Sequence, residues 1–202
     1  MPGNTPLDEW KNTDQNKIWT EKNIPQIEAD WAKKPKQPLK HKTVSALILG
    51  SVLDVGCGTG DLVTALKENH YPGAYLGVDP SEAMLERART NHPRHHFIQG
   101  NLYDLDHIAP ADTVVCLDVL HHQKDLEPGF TNLLNKARKR LIVTLWINDR
   151  DKHHPKQTKG QYGEWITYYT EKELENWFSE EKYAIHPRLG CAWKDMYIFE
   201  VK

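Results

Sequence analysis

The sequence predicts a single doubly wound α/β domain, and three observations carry that expectation. Residues 51–61, Ser-Val-Leu-Asp-Val-Gly-Cys-Gly-Thr-Gly-Asp, pass from a short apolar run into alternating glycines, after which Leu62, Ala65 and Leu66 recur at helical spacing. Further apolar runs at 74–79, 113–117 and 141–145 alternate with stretches of helical period, the pattern of a mostly parallel sheet wrapped by helices. The 202 residues, 39% hydrophobic and 27% charged, suffice for one domain with a sizeable core and leave no room for a second catalytic one.

Residues 1–44 read as an N-terminal helical extension, ahead of a main domain over 45–202. Prolines at 2, 6, 25, 35 and 38 punctuate it, and Trp10, Trp19 and Trp31 are too apolar for a solvated tail. Pro25 suits the first turn of a helix that carries Ile27 and Trp31 on one face and ends by Pro35. Pro38 starts a second helix, with Leu39, Thr43, Ala46 and Leu47 expected inward and Gly50 closing it. Five lysines between Lys33 and Lys42 read better as a solvated helix face than as an anion site.

Val52, Leu53 and Val55 form a strand apolar enough to be covered on both faces. Gly56, Gly58 and Gly60 then let the backbone turn sharply and let a ligand approach the main chain, with Cys57 small enough to sit inside the turn. A ligand site therefore belongs at the carboxyl end of this strand, facing the next helix. Dinucleotide binding requires a third glycine where Asp61 stands, and that carboxylate would repel a pyrophosphate at this helix start. No Gly-Lys-Ser/Thr follows, so a P-loop is excluded.

The second strand ends at Asp79-Pro80, roughly 20 residues beyond the glycines, where an acidic side chain accepts ribose hydroxyls. Ser81 caps a helix with Met84, Leu85 and Ala88 inward, and 95–98 is the expected third strand. Gly100-Asn101-Leu102 follows. A buried strand from Thr113 then runs into Asp118-Val119 and the pair His121-His122. Leu126, Phe130, Leu133, Leu134 and Ala137 form a helix expected to end in the cations Lys136, Arg138, Lys139 and Arg140, ahead of a central strand at 141–145. The polar stretch 147–169 is longer than ordinary connections, which points to function or mobility; it holds His153, His154, Tyr162, Trp165, Tyr168 and Tyr169. Thr170 and Glu173 make a capping box for a helix through Leu174, Trp177 and Phe178, and two strands close the chain near 183–187 and 196–201.

The Gly-x-Gly-x-Gly pattern, with Asp54 two residues before it, resembles motif I of the class I, Rossmann-like S-adenosylmethionine-dependent methyltransferases. The order and spacing of the later motifs extend the resemblance over roughly 45–202. It implies about seven strands, mostly parallel, with an antiparallel element at one edge, and S-adenosyl-L-methionine as methyl donor, leaving S-adenosyl-L-homocysteine. By resemblance Asp79 holds the ribose, Asp54 orients the amino-acid end, and Asn101 stands where the family often has an aspartate against the adenine amino group, its amide oxygen able to accept the same bond. Gly56, Cys57, Gly58, Gly60, Pro80, Leu102, Asp118 and Val119 complete the implied cofactor set.

The sulfonium activates the methyl group itself, so alignment and exclusion of water are the main tasks, and a base is needed only when the acceptor must lose a proton. His121 and His122 are the candidates for that role; capping the following helix or filling the wall is the alternative. Trp19, Trp31, His122, Trp146, Trp165 and Tyr168 are candidate walls of a substrate pocket, and each reads equally well as core. The N-terminal helices would form a lid, or simply dock on the sheet.

A net charge of -2 argues against bulk nucleic acid as the main partner. Cysteines at 57, 116 and 191 lack metal-ligand spacing and read as reduced, cytoplasmic thiols; the adjacent histidine pairs complete no ligand set, so no metal is expected. No apolar run has the length of a signal peptide or membrane span. The expected function is methylation of a small-molecule acceptor, with oligomeric state open. Alternatives are methylation of a protein or RNA through the lysine-rich segment, a non-catalytic cofactor-binding regulator, and a nicotinamide oxidoreductase.

Overall fold

The computed structural model describes residues 18–33, 37–123, 126–148, 156–170, 172–174, 183–191 and 194–201. Trp10, His153, His154, Trp177 and Phe178, and the side chains of Trp31, Leu39 and Cys191, lie outside the described residues.

Two helices, α1 (Ile24–Ala32) and α2 (Gln37–Leu47), precede β1 (Val52–Val55). Then follow α3 (Asp61–Glu68), β2 (Tyr75–Asp79), α4 (Glu82–Asn91), β3 (His96–Gln99), β4 (Ala111–Cys116), a single 3-10 turn (Leu120–His122), α5 (Glu127–Lys136) and β5 (Ala137–Leu145). A small hairpin, β6 (Gln157–Lys159) and β7 (Trp165–Thr167), and a large one, β8 (Tyr183–Cys191) and β9 (Lys194–Val201), complete the strands.

The main sheet has seven strands in the order β3-β2-β1-β4-β5-β9-β8. β1 to β5 are parallel, and β9 runs antiparallel to both β5 and β8. The expected antiparallel element is thus the β8–β9 hairpin, its reversed strand one place in from the rim. Chain order reverses between β1 and β4, which opens a crevice at their carboxyl ends, the usual ligand position of such sheets.

All four residues of β1 are buried, as its apolar run requires. Leu53 and Val55 face one way, with Val114, Cys116, Leu141 and Val143, against Phe130 and Leu133 of α5. Val52 faces the other, with Val115 and Ile142, against Val63 and Leu66 of α3, Leu85 of α4 and Val44 of α2. Each such side chain, fully buried, contributes roughly 1.5–3 kcal/mol, so the central strands fix the crevice rigidly.

Three expectations change. Helix α5 stops at Lys136, and Arg138, Lys139 and Arg140 lie on β5 rather than on a helix end. Lys139 pairs with Asp112 at 3.1 Å, and Arg140 donates to Glu200 and to the Leu47 carbonyl, so these cations tie the sheet together. On α2 the residues facing inward are Lys40, Val44 and Ser45, while Ala46 is exposed. Finally, the polar stretch after β5 carries the β6–β7 hairpin, whose Thr167 hydroxyl donates to the Gln123 carbonyl at 2.8 Å. The capping box forms as expected: the Thr170 N–H donates to Glu173 Oε2 at 2.9 Å and the Glu173 N–H to Thr170 Oγ1 at 3.2 Å.

Candidate active site

The three glycines after β1 all have left-handed backbones, with φ of 77° at Gly56, 54° at Gly58 and 84° at Gly60. Their reasons for being glycine differ. A Cβ on Gly56 would overlap Val119 Cγ2, and one on Gly60 would come within 2.7 Å of His92 Cδ2. A Cβ on Gly58 would meet nothing within 4 Å, so Gly58 alone presents bare backbone to open space. Its N–H donates to Asp79 Oδ2 at 2.9 Å, and the Ser81 N–H donates to Oδ1 at 2.9 Å. Asp79 is therefore locked beneath the loop with lone pairs to spare. Burial pushes its pKa up to about 6, against the two backbone donors, which lower it. The carbonyl of the following residue, Pro80, accepts from Gln99 Nε2 at 3.0 Å.

Asp54 is buried at the end of β1 and accepts from the Tyr75 hydroxyl at 2.8 Å. Burial raises its pKa to about 7, and neighbouring Asp79 and Asp61 add to the rise. The thiol of Cys57 is buried and its pKa pushed well up by that burial, which suits packing rather than nucleophilic chemistry. Asn101 is 3% exposed; its Oδ1 accepts the Tyr103 N–H at 2.7 Å, while Nδ2 is buried with no hydrogen-bond partner among the described residues. The group that Asn101 has to offer is a donor. Leu102 fills the space that a side chain at residue 129 would need, so its own side chain belongs to the core against α5.

Across the crevice Asp118 is also left-handed, at φ 60°. Aspartate tolerates that region, and Thr144 secures it: the Asp118 N–H donates to Thr144 Oγ1 at 2.7 Å, and that hydroxyl donates to Asp118 Oδ1 at 3.1 Å. The other carboxylate oxygen pairs with Lys40, which is only 6% exposed, brought from α2. Lys40 also acts on Asp54, lowering its pKa against the burial effect. A buried ammonium therefore faces the carboxyl ends of both β1 and β4.

The histidine pair divides. His121 is 2% exposed and stacks on Trp146 at 4.8 Å with 12° between planes, a wall position. His122 is half-buried, its ring 6.0 Å from that of Trp19, and its Nδ1 lies 2.8 Å from the Trp165 carbonyl. A carbonyl only accepts, so Nδ1 carries the proton and Nε2 is the basic nitrogen of the neutral ring. Tyr168 packs on Trp146 at 5.5 Å. Trp165 contributes its backbone only; its ring is 40% exposed beneath the Lys159 ammonium.

Above these residues the N-terminal segment is fastened at several points. The Ser81 hydroxyl donates to the Trp19 carbonyl at 2.7 Å, Arg87 pairs with Glu28 at 2.5 Å, and Gln161 and Tyr162 from the small hairpin both donate to Asp30. Lys33 and Tyr162 hold the Asp30 carboxyl well below the usual carboxylate range.

Comparison with known proteins agrees with this architecture. Residues 53–141 match the family described as "Methyltransferase domain". Over these residues the chain is similar to that family, and its fold is the Rossmann-like one. The chain is 29% identical over 113 residues to tRNA U34 carboxymethyltransferase of Mannheimia succiniciproducens, a match covering 51% of this chain and 34% of that protein. It is 26% identical over 144 residues to trans-aconitate 2-methyltransferase of Yersinia pestis, covering 69% of this chain and 55% of the relative. The chain thus spans between about a third and just over half the length of these curated relatives. Among solved structures, magnesium protoporphyrin IX methyltransferase of Synechocystis PCC 6803 with bound SAH superposes with a TM-score of 0.68 at 18% identity, over 96% of this chain and 97% of the other.

The stretch similar to that family runs from β1 into β5 and holds Asp54, the glycines, Asp79, Asn101, Asp118 and the histidine pair. Lys40, Trp19, Thr144, Trp146 and Tyr168 lie outside it. Sequence reasoning missed Lys40, Tyr75 and Thr144, and it read Ser81 as the helix cap that it is without the bond from its hydroxyl to the Trp19 carbonyl. For Lys40 a signal existed, since it stands one helical turn before the apolar Val44 on the face that α2 buries.

Proposed function

We propose that this protein is an S-adenosylmethionine-dependent methyltransferase acting on a small-molecule acceptor. The observation that carries the reading is Gly58, whose bare backbone faces open space directly above the doubly anchored carboxylate of Asp79. The residues present fit the cofactor. Asp79 has lone pairs left for two ribose hydroxyls, the unpartnered Nδ2 of Asn101 offers a donor to a ring nitrogen of adenine, and Lys40 with Asp54 and Asp118 offers opposite charges to an amino acid's carboxylate and ammonium. Gly56, Cys57, Gly60, Pro80, Leu102 and Val119 shape the backbone around them.

When bound, the cofactor supplies a methyl group made electrophilic by the adjacent sulfonium. What remains for this chain is to align an acceptor and to exclude water. Trp19, Trp146, Tyr168 and His121 wall the acceptor space, and α1 acts as a lid over it, while α2 packs on the sheet through Val44. His122, with Nε2 as its basic nitrogen, takes a proton from an acceptor that must lose one. The trans-aconitate relative, named for methylating a small molecule, supports the acceptor class. No helix among the described residues is long and apolar enough to cross a membrane. The buried thiols Cys57 and Cys116 suit a reducing cytoplasm as the proposed compartment.

A second reading, an RNA acceptor, draws on the tRNA-directed relative. Incubation with methyl-labelled S-adenosylmethionine and the separated small-molecule, RNA and protein fractions of a cell extract tests both. Label in the small-molecule fraction is the expected result; label in RNA would install the second reading. A protein that binds S-adenosylhomocysteine and labels no fraction would be a regulator.

A further inference from the structure

Trp19 reaches across the crevice, with one contact on each bank. On one side of β1 its carbonyl accepts from the Ser81 hydroxyl at 2.7 Å, two residues beyond Asp79 at the end of β2. On the other side its ring meets that of His122 edge to face at 6.0 Å, beyond the end of β4. α1, which follows Trp19, is fastened to the same two banks, by Arg87 of α4 to Glu28 and by Gln161 and Tyr162 of the small hairpin to Asp30. Ser81 is 5% exposed and serves three partners at once. Its N–H donates to Asp79 Oδ1 at 2.9 Å, its hydroxyl oxygen accepts the Met84 N–H at 3.3 Å as the N-cap of α4, and the hydroxyl hydrogen goes to Trp19. Capping needs only the oxygen, so the bond donated to Trp19 is a separate task. One buried residue thus touches both the carboxylate offered to a ribose and the main chain of the acceptor wall.

We propose that Ser81 is a positioning residue that holds Trp19 against His122 and tightens that hold when the cofactor's ribose occupies Asp79. Ribose hydroxyls that donate to Asp79 favour its ionised form, and a carboxylate draws in the Ser81 N–H more strongly than a neutral acid does. The turn from Asp79 to Ser81 is thereby fixed, and the Ser81 hydroxyl fixes Trp19 with it. The acceptor wall is therefore firmer with cofactor bound than without it, which favours binding of the cofactor before the acceptor. The proposal rests on the cofactor reading above.

Fluorine NMR of the protein labelled with fluorotryptophan tests it, with Trp19→Phe to assign the Trp19 resonance. Wild type, Ser81→Gly and Ser81→Thr are each compared free and saturated with S-adenosylhomocysteine, saturation being set by calorimetric titration. Glycine keeps the N–H that donates to Asp79 and is a tolerated N-cap, so it removes the bond to Trp19 at little cost to α4, whereas threonine keeps the hydroxyl. The expected result is a shift of the wild-type Trp19 resonance on saturation, loss of most of that shift in Ser81→Gly, and its return in Ser81→Thr. A full shift in Ser81→Gly would mean that ligand reaches Trp19 without Ser81, and equal loss in both variants would mean that the hydroxyl is not the link; either overturns the proposal. A wild-type Trp19 resonance unmoved by bound ligand also overturns it, leaving Ser81 a purely structural latch, and that reading does not depend on either variant folding. Absence of binding in wild type by calorimetry overturns the cofactor reading and takes this proposal with it.

Discussion

The floor of the crevice and its roof are assembled from different kinds of contact. In the floor, Gly58 to Asp79 and Tyr75 to Asp54 are hydrogen bonds between residues 21 apart, made at the ends of neighbouring parallel strands and largely buried. In the roof, His122 meets Trp165 across 43 residues, Lys40 meets Asp118 across 78, and Gln161 meets Asp30 across 131, the last exposed to solvent. Backbone geometry sets the first group, so it is in place whenever the sheet is. The second group depends on where separate segments come to rest, and its exposed members contribute little to stability. A rigid floor under a lightly fastened roof suits a site that must hold a cofactor firmly and admit an acceptor.

The sharpest way to separate the two is inside the glycine loop. Gly56→Ala meets both a left-handed backbone and the side chain of Val119, costing about 1–2 kcal/mol for the first and about 1–3 kcal/mol for the second. A fall in melting temperature of about 5–15 °C is expected by calorimetry. Gly58→Ala meets only the backbone term, about 1–2 kcal/mol, and should stay folded while losing S-adenosylhomocysteine affinity by at least about tenfold. Equal losses of affinity at equal stability would mean that Gly58 has no special exposure to ligand. At the other extreme, Tyr162→Phe removes one partly buried clasp between hairpin and α1. Its melting temperature should move by no more than about 2 °C. Hydrogen exchange in residues 157–167 should quicken a few-fold; unchanged exchange there would show that the clasp holds nothing.

This division also explains what could be read from the sequence. The strand, glycine loop and helix, and the acidic residues at the ends of β1 and β2, were legible because each depends on local spacing and on the both-face burial of an apolar strand. The different reasons for the three glycines were not: that Val119 fills one position and His92 another follows from which elements pack together. Lys40 was read as solvated because a lysine carries no sign of the distant Asp118 that pairs with it. The cations at 138–140 were read as a helix end, but β5 begins directly after α5, and Asp112 and Glu200 are their partners. Asn101 was expected to present its oxygen, which a local turn to the Tyr103 N–H occupies instead. Trp165 was placed in the pocket by residue type, and the pairing of β7 with β6 leaves its ring outside.

The most direct test of the account is calorimetric titration with S-adenosylhomocysteine from pH 5 to pH 8, with melting temperatures of the ligand-free protein alongside. Burial raises the folded pKa of Asp79 to about 6 and of Asp54 to about 7, above the free value of 3.8. Their contribution to stability is therefore fullest below the free value and is lost as pH rises through 6–7, so the ligand-free melting temperature should fall over that range. Ribose hydroxyls and an ammonium favour the ionised carboxylates, so affinity should rise over the same range, by about tenfold, as ligand restores what ionisation costs. Micromolar binding at pH 8 that weakens toward pH 5 is the predicted result. A folded protein that binds nothing at any pH, or binds with an affinity indifferent to pH, would contradict the assignment of Asp54 and Asp79 as the anchors of the cofactor.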